Sequence, residues 1–198
     1  SAYHFMREKI RKLEITPAQL ALDPCSGSVV ITDTDSGDVL AMVSYPSYDN
    51  NKMANKVDAE FYASLNTDLS LPLVNRATQS RSAPGSTFKM ITAIAGLTEG
   101  AVALNTEVFD GLKFTKLSTT QAPKCWSKSS HGNEDVVDAI RDSCNFYFYE
   151  VGWRLGGGNN RTYNSSLALS VLKDYASKFG FDTKTGIEIG EIAPEISD

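Results

Sequence analysis

The sequence lacks several features that would place a chain in a functional class at once. Its 198 residues contain no run of about 18 apolar residues, so we expect no membrane span within it. The net charge of −5 shows no excess of positive charge, which argues against a nucleic-acid partner. Only three cysteines are present, Cys25, Cys125 and Cys144, and an odd number argues against a fully disulfide-paired framework. The length is that of one core-forming domain.

Hydrophobic patterns predict both helices and strands. Apolar residues at helical spacing predict an amphipathic helix at the start of the chain, ending near Thr16-Pro17. Residues 28–45 hold two apolar runs around a glycine-containing turn, which is typical of a β-hairpin. Further helices are predicted over 86–97, from 136 into the pair Asp142-Ser143, over 146–155, and over 167–179 with Gly180 as C-cap. The spacing of the first helix is carried by Tyr3, Met6, Ile10 and Leu13.

The stretch from Pro84 to Lys89 is the first candidate site. Pro84 and Gly85 close a loop, and Ser86 is predicted in the first turn of the buried helix that follows. Lys89 comes three residues later, so both side chains lie on one face. A lysine among apolar residues resists charging and can take the proton of a serine nucleophile. The alternative is a serine that starts a helix and a lysine that reaches to water, because Ser-x-x-Lys is a common pattern.

A second polar pair stands between two predicted helices. A short loop there can present Ser143 and Asn145 together, the serine to pass a proton and the amide to hold a substrate. By itself this pair is also what ordinary helix caps contain. Combined with Ser86 and Lys89, it matches the serine-based motifs of β-lactamases and penicillin-binding proteins.

Further blocks in the same order extend that match over most of the chain. The sequence resembles the transpeptidase domain of class B penicillin-binding proteins, in the elongation-type penicillin-binding protein 2 group. This resemblance implies an α+β, serine β-lactamase/transpeptidase-like fold, in which helices flank an antiparallel sheet. The blocks are residues 34–43 with 45–49, 75–78, 84–89, 124–126, 131–132, 143–145 with 148–150, and 184–188.

The resemblance also implies a reaction, that of a peptidoglycan D,D-transpeptidase forming stem-peptide cross-links through a serine acyl-enzyme. Ser86 would attack the penultimate D-Ala carbonyl, and its N–H would supply one oxyanion donor. Lys89 would be the base, Ser143 would relay a proton, and Asn145 would bind the acyl-side amide. β-Lactams would be trapped at Ser86, and the chemistry requires no cofactor.

Residues 184–186 carry the letters Lys-Thr-Gly of the family's third motif. Their turn-like context and their short distance from Ser143 predict that they are not that motif. Residues 1–198 are therefore expected to be the N-terminal portion of the transpeptidase domain, without the third motif and the C-terminal strands. Exposed core surface would then favour a completing chain or self-association.

The resemblance implies partners and a location as well. Peptidoglycan stem peptides and β-lactam antibiotics would bind at Ser86, and the full-length protein would join the elongation or division machinery. We expect the cell membrane of a bacterium, with the catalytic domain on the outer face and an anchor outside this chain.

Asp110, Cys125, His131 and Cys144 form a candidate zinc site. Cys125 and His131 lie in one predicted loop, and Cys144 lies inside the second serine motif. The family resemblance implies such a site as well, since some relatives hold zinc with acid, histidine and cysteine residues in this region. Such a site would be structural and would pin the irregular segment 106–132 to the Ser143 loop. Three alternatives are Cys144 as a small buried apolar residue, a Cys125–Cys144 disulfide, and His131 as a plain loop residue.

Two other classes of function stay open from the sequence. One is a β-lactam-hydrolysing or β-lactam-sensing relative on the same fold, which the rate of deacylation would separate from a transpeptidase. The other is a non-catalytic binding module or truncated fragment, which titration with a fluorescent penicillin would reveal.

Overall fold

The structure is a computed structural model that describes residues 1–12, 14–15, 26–160 and 162–196. It divides into two compact units, one of Ser1–Arg81 with Ile187–Ile192 and one of Ser82–Gly186 with Ala193–Asp198. Leu13, Cys25 and the predicted helix end near Thr16-Pro17 lie outside the described residues. No helix within the described ranges is both long and apolar enough to cross a membrane.

The first unit is built on the predicted hairpin. Strand β1 (Gly27–Thr32) pairs antiparallel with β2 (Val39–Tyr45), and Asp33 closes the turn by accepting the N–H groups of Asp35 and Ser36. A short helix, α3 (Arg76–Gln79), packs against both strands. The unit also contains α1 (Ala2–Arg11), a 3-10 turn (Asn50–Lys52) and α2 (Ala59–Thr67).

The second unit is mainly helical. Helix α4 (Lys89–Thr98) packs against α6 (Asn145–Leu155) and α7 (Ser165–Lys178), and α5 (Val136–Arg141) leads into α6. Two very short strands, β3 (Val108–Phe109) and β4 (Asn133–Glu134), pair antiparallel. The buried core of this unit includes Ile91, Ala95, Val102, Val136, Ala139, Tyr147, Val151 and Tyr175.

Close approach between α4 and α6 depends on one glycine. A Cβ at Gly96 would lie 2.6 Å from Cγ1 of Val151, which is closer than carbon atoms tolerate. The two helices that begin at Lys89 and Asn145 are therefore held at a spacing that only glycine permits at this point.

The ends of the predicted helices fall close to their sequence signals, with one correction. Asp135 caps α5 by accepting the N–H groups of Val137 and Asp138, and Gly180 follows the last residues of α7 at φ +78°. The helix predicted over 86–97 begins later, at Lys89, because residues Gly85–Phe88 form a 3-10 turn. Such a tighter turn is frequent at a helix N-terminus. Residues 184–186 lie in no strand.

Candidate active site

Ser86 and Lys89 are brought together by the 3-10 turn that precedes α4. Side chains three residues apart eclipse each other in a 3-10 turn, so the two groups share one side. The N–H of Lys89 donates to the carbonyl of Ser86 and closes the turn. Ser86 is exposed, and its own N–H belongs to the first turn, where N–H groups have no partner within the helix. The turn thus offers a solvent-accessible hydroxyl beside an N–H donor.

Ser143 occupies an uncommon backbone position at the end of α5. The N–H of Ser143 donates to the carbonyl of Ile140 at 3.2 Å, and the N–H of Cys144 donates to the carbonyl of Ala139 at 2.9 Å. These two bonds form a Schellman motif, whose left-handed residue is usually glycine. Ser143 takes that conformation at φ +52°, which costs about 1–2 kcal/mol for a residue with a Cβ.

Lys89 joins the two serine-containing motifs directly. Its Nζ lies 2.6 Å from the carbonyl oxygen of Ser143, 2.9 Å from Oγ of Ser143 and 2.7 Å from Oδ1 of Asn145. The structure therefore brings Lys89, Ser143 and Asn145 into one hydrogen-bonded cluster, one turn after Ser86. The ring of Phe148 lies below the amine, with its centroid 5.6 Å from Nζ.

Burial lowers the pKa of Lys89, although the nearby Cys125, Cys144 and Glu134 groups act in the opposite direction. The neutral amine is therefore more accessible than it is for a lysine in water. A neutral amine has two N–H donors and one lone pair. The carbonyl of Ser143 and Oδ1 of Asn145 take the two donors, which leaves the lone pair for a hydroxyl proton.

The four predicted zinc ligands also converge. Sγ of Cys125 lies 3.7 Å from Nδ1 of His131 and 4.0 Å from Sγ of Cys144, and Nδ1 of His131 lies 2.8 Å from Oδ2 of Asp110. All four donor atoms lie within 4.8 Å of one another. A zinc ion with bonds of about 2.0–2.3 Å would separate its tetrahedral ligands by roughly 3.3–3.8 Å. The observed separations of 2.8, 3.7 and 4.0 Å lie on both sides of that range, so small side-chain adjustments would bring the donors onto one ion. The two thiols are free, which contradicts the alternative of a Cys125–Cys144 disulfide.

Asp110, Cys125 and Cys144 are buried, His131 is partly buried, and their surroundings shift the pKa values of Asp110 and Cys144 in opposite directions. Burial alone would raise the pKa of Asp110, but hydrogen bonds from the N–H of Leu112 and from His131 lower it overall. Burial raises the pKa of the Cys144 thiol well above its usual range, and the carboxylate of Glu134 adds to this. A carboxylate, an imidazole and two thiols in one dry site are the ligand types that zinc prefers.

A hairpin-like excursion returns Cys125 to the neighbourhood of Asp110. The N–H of Phe114 donates to the carbonyl of Pro123, and the N–H of Cys125 donates to the carbonyl of Leu112. The side chain of Phe114 is fully buried and anchors the excursion. No periodic pattern in the sequence predicts this pairing of residues 112–114 with residues 123–125.

Sequence reasoning missed three residues that the structure brings out: Trp126, Glu134 and Glu150. The indole N–H of Trp126 donates to the carbonyl of Asp142 at 3.1 Å, directly before Ser143. Glu134 is buried, and burial raises its pKa, while its interaction with the Cys144 thiol lowers it in part. Glu150 is buried as well. In the sequence, Glu150 could have been noticed as a single acidic residue inside an apolar helical stretch. Trp126 could have been noticed as a tryptophan next to the candidate ligand Cys125.

Glu150 ties the excursion over residues 111–124 to α6. Its Oε2 lies 2.7 Å from Nζ of Lys116, and its Oε1 lies 2.8 Å from Nε of Arg154. Lys116 also lies over the ring of Trp153, 4.2 Å from the centroid. This network holds α6, the helix whose first residue is Asn145, against the excursion.

Comparison with known proteins gives consistent results. The family model for the penicillin binding protein transpeptidase domain matches residues 27–193. The curated peptidoglycan D,D-transpeptidase MrdA of Haemophilus influenzae is 38% identical over 170 residues, which cover 86% of this chain and 24% of that protein. The chain thus spans about a quarter of the length of this curated relative.

Solved structures show the same fold. Pseudomonas aeruginosa PBP2 in complex with WCK 5153 superposes with a TM-score of 0.74 at 31% identity, covering 91% of this chain and 38% of that chain. The complex between PBP2 and MreC from Helicobacter pylori gives 0.72 at 26% identity, with 84% and 29% covered. The α+β, transpeptidase-like fold predicted from the sequence is confirmed by these matches.

Proposed function

Because the chain belongs to the penicillin-binding protein transpeptidase family, we propose that its protein cross-links peptidoglycan stem peptides as a serine D,D-transpeptidase. The observation that carries this proposal is the Lys89 cluster. One amine contacts both Ser143 and Asn145 and stands one turn after an exposed serine.

In the acylation step, Ser86 attacks the penultimate D-Ala carbonyl of a stem peptide. Neutral Lys89 accepts the hydroxyl proton on its lone pair while the Oγ–carbon bond forms. The negative charge that develops on the carbonyl oxygen lies near the N–H of Ser86 at the helix start, where negative charge is favoured.

In the second half of acylation, the proton reaches the leaving amine. Lys89 donates to Ser143 Oγ, which lies 2.9 Å away, and Ser143 passes its own proton to the departing D-Ala nitrogen. Asn145 holds the acyl-side amide through its free N–H₂ group, because its Oδ1 already accepts from Lys89. An amine of a neighbouring stem peptide then attacks the acyl-enzyme by the reverse proton path, forms the cross-link and restores Ser86.

β-Lactams test this proposal because they acylate the same nucleophile. Full-length protein treated with penicillin is expected to gain one adduct on the peptide containing Ser86, observed by mass spectrometry. The adduct is expected to persist for hours, since a β-lactam-hydrolysing relative would release it in seconds. An equal adduct on Ser86→Ala protein would reject the assignment of the nucleophile.

We also propose that the four-donor cluster holds a structural zinc ion. The metal would be held by Asp110, Cys125, His131 and Cys144. It would connect the loop segments that carry these residues and take no part in the acyl-transfer reaction. Protein purified without chelators is expected to contain about one equivalent of zinc and to melt at a lower temperature after chelation. Cys125→Ser should lose the metal, whereas Cys25→Ser, outside the four donors, should keep it. Less than about a tenth of an equivalent, with no chelator effect, would reject the site.

The setting is proposed from the relatives. The solved PBP2 of Helicobacter pylori is described in complex with MreC, and we propose an equivalent partner of the elongation machinery for the full-length protein, at the outer face of a bacterial cell membrane. Co-purification of the full-length protein with its own MreC counterpart from membranes tests this, with a Ser86→Ala protein as a control that retains binding.

A further inference from the structure

Trp126 makes a directed contact at the most constrained turn of the site. Its indole N–H donates to the carbonyl of Asp142 at 3.1 Å, and Asp142 is the C-cap of α5. Carbonyl groups at a helix end have no partner within the helix, so the indole satisfies one that would otherwise face solvent. The Trp126 side chain is 65% exposed, so core packing does not explain its position.

The residue after this carbonyl is Ser143, in its left-handed conformation. That conformation is unfavourable for serine and persists only where neighbouring contacts determine it. Lys89 supplies two of these contacts, but Lys89 changes its protonation and its partners during the proposed reaction. The bond from Trp126 involves no atom that gains or loses a proton, so it can hold the turn throughout the cycle.

We propose that Trp126 is a positioning residue for Ser143. Its N–H fixes the Asp142 carbonyl and thereby keeps the Ser143 hydroxyl directed at Lys89. This role rests on the proposed function, because it matters only where Ser143 relays a proton.

The chain places Trp126 there through its neighbour. Cys125 lies in the four-donor cluster, with its Sγ 4.0 Å from Sγ of Cys144. Ser143 is therefore held on both sides, through Asp142 by Trp126 and through Cys144 by the donor cluster. Cys125 and Trp126 are consecutive, so one segment of backbone serves both contacts.

A double-mutant cycle in full-length protein tests the proposal. Trp126→Phe keeps an aromatic ring and removes the N–H, and we expect it to slow penicillin acylation about tenfold, the effect of one lost hydrogen bond. In a Ser143→Ala background, where there is no relay hydroxyl to position, the same change is expected to cost less than about twofold. Tyr62→Phe is the matched control, because it also keeps an aromatic ring and removes one polar hydrogen, at a 44% exposed residue of α2, and it should acylate at the wild-type rate.

A second readout needs no reaction. The amide of Cys144, bonded to the Ala139 carbonyl, is expected to exchange hydrogen about tenfold faster in Trp126→Phe than in wild type or Tyr62→Phe, as its turn opens more often. Multiplicative rate losses in the cycle, or unchanged exchange at Cys144, would overturn the proposal. If wild-type protein fails to acylate at all, the proposed function fails, and the exchange measurement still decides the role of Trp126.

Discussion

At the end of α5 a serine occupies the left-handed position that glycine takes at the end of α7. Both ends carry the same pair of backbone bonds, from Ser143 and Cys144 in one case and from Gly180 and Phe181 in the other. Glycine adopts this conformation freely, whereas serine is strained in it. The strained residue, Ser143, stands after α5, where its hydroxyl contacts Lys89. After α7, where no hydroxyl is needed, the unstrained Gly180 takes the same position.

This contrast predicts the stability of two variants. Ser143→Gly relieves the strain and should be about 1 kcal/mol more stable than Ser143→Ala, which keeps the Cβ. Both variants should lose most of the acylation rate, because both lack the hydroxyl. Urea denaturation together with penicillin acylation measures the two effects. Equal stability of the two variants would contradict the argument from backbone strain.

The lowered pKa of Lys89 predicts how the protein depends on pH. Burial disfavours the charged form, so the acylation rate should rise with pH and level off with an apparent pKa below the ordinary value of 10.5. The penalty of a buried charge is fully present below the folded-state pKa. It is relieved as pH rises from there toward the unfolded-state value, so stability should increase over that window.

Two variants of Lys89 test this dependence. Lys89→Met should remove the stability change in that window, as shown by denaturation at several pH values. Lys89→Arg should not acylate, because arginine keeps its proton. Normal acylation by the arginine variant would show that another group is the base.

The sequence indicated Lys89, Ser143 and Asn145 as candidate site residues, but the distances between them could not be predicted from it. Ser86 and Lys89 are close because they are three residues apart, and local spacing is visible in a sequence. The approach of Lys89 to Ser143 spans 54 positions and depends on how α4 packs against α6. The resemblance to a family implied roles for Lys89 and Ser143 in one reaction, whereas periodicity alone did not.

At the scale of elements, the contact between α4 and α6 can be tested at one glycine. Gly96→Ala should destabilise the fold by about 1–3 kcal/mol, because its Cβ would overlap Val151. It should also slow acylation, since the helices that carry Lys89 and Asn145 would separate. Gly152→Ala on α6 is the control: its Cβ would meet nothing within 4 Å, and a neutral or slightly stabilising effect is expected. Equal effects of the two changes on urea denaturation would refute a packing role for Gly96.

The buried carboxylate of Glu150 gives a second prediction for these elements. Glu150→Ala leaves Arg154 and Lys116 without their partner and should destabilise the protein by on the order of 3 kcal/mol. Lys116→Ala should cost less, because that side chain is 45% exposed and water replaces part of the interaction. Thermal melts of both variants measure the difference, and a larger effect at Lys116 would contradict it.

Long elements were predictable and very short ones were not. The hairpin and the helices around 146–155 and 167–179 carry enough repeats of their apolar pattern to be recognised. Strands β3 and β4 have two residues each and pair across 23 intervening positions, so no local pattern encodes them. The fully buried Phe114 organises this region, yet a single aromatic residue in a polar stretch predicts no particular partner.

At the scale of the whole molecule, the hairpin exposes apolar side chains on both faces. Val29 and Ile31 are 58% and 52% exposed on one face, and Val30 is 45% exposed on the other. Among the described residues neither strand pairs with a third strand, and α3 leaves these side chains exposed. Strand edges and exposed apolar side chains of this kind are prone to pair with other chains. The 198-residue chain by itself is therefore expected to self-associate with rising concentration.

Analytical ultracentrifugation checks this expectation. Val30→Lys should shift the equilibrium toward monomer, because it places a charge on one apolar face. Val137→Lys is the matched control: Val137 is 64% exposed on α5, and a single exposed apolar residue is ordinary for a protein surface. Equal effects of the two lysines would mean that net charge, and not the hairpin, governs association.

The hydrogen bonds of Lys89 impose a rule of mutual exclusion on the proposed reaction. With two N–H groups committed to Ser143 and Asn145, the neutral amine has a single lone pair for two hydroxyls, those of Ser86 and Ser143. Once it has accepted a proton from Ser86, it cannot accept another until Ser143 has passed one on. In the proposed reaction Lys89 therefore holds only one transferred proton at a time. A second nucleophilic attack cannot begin before the first leaving group has been protonated.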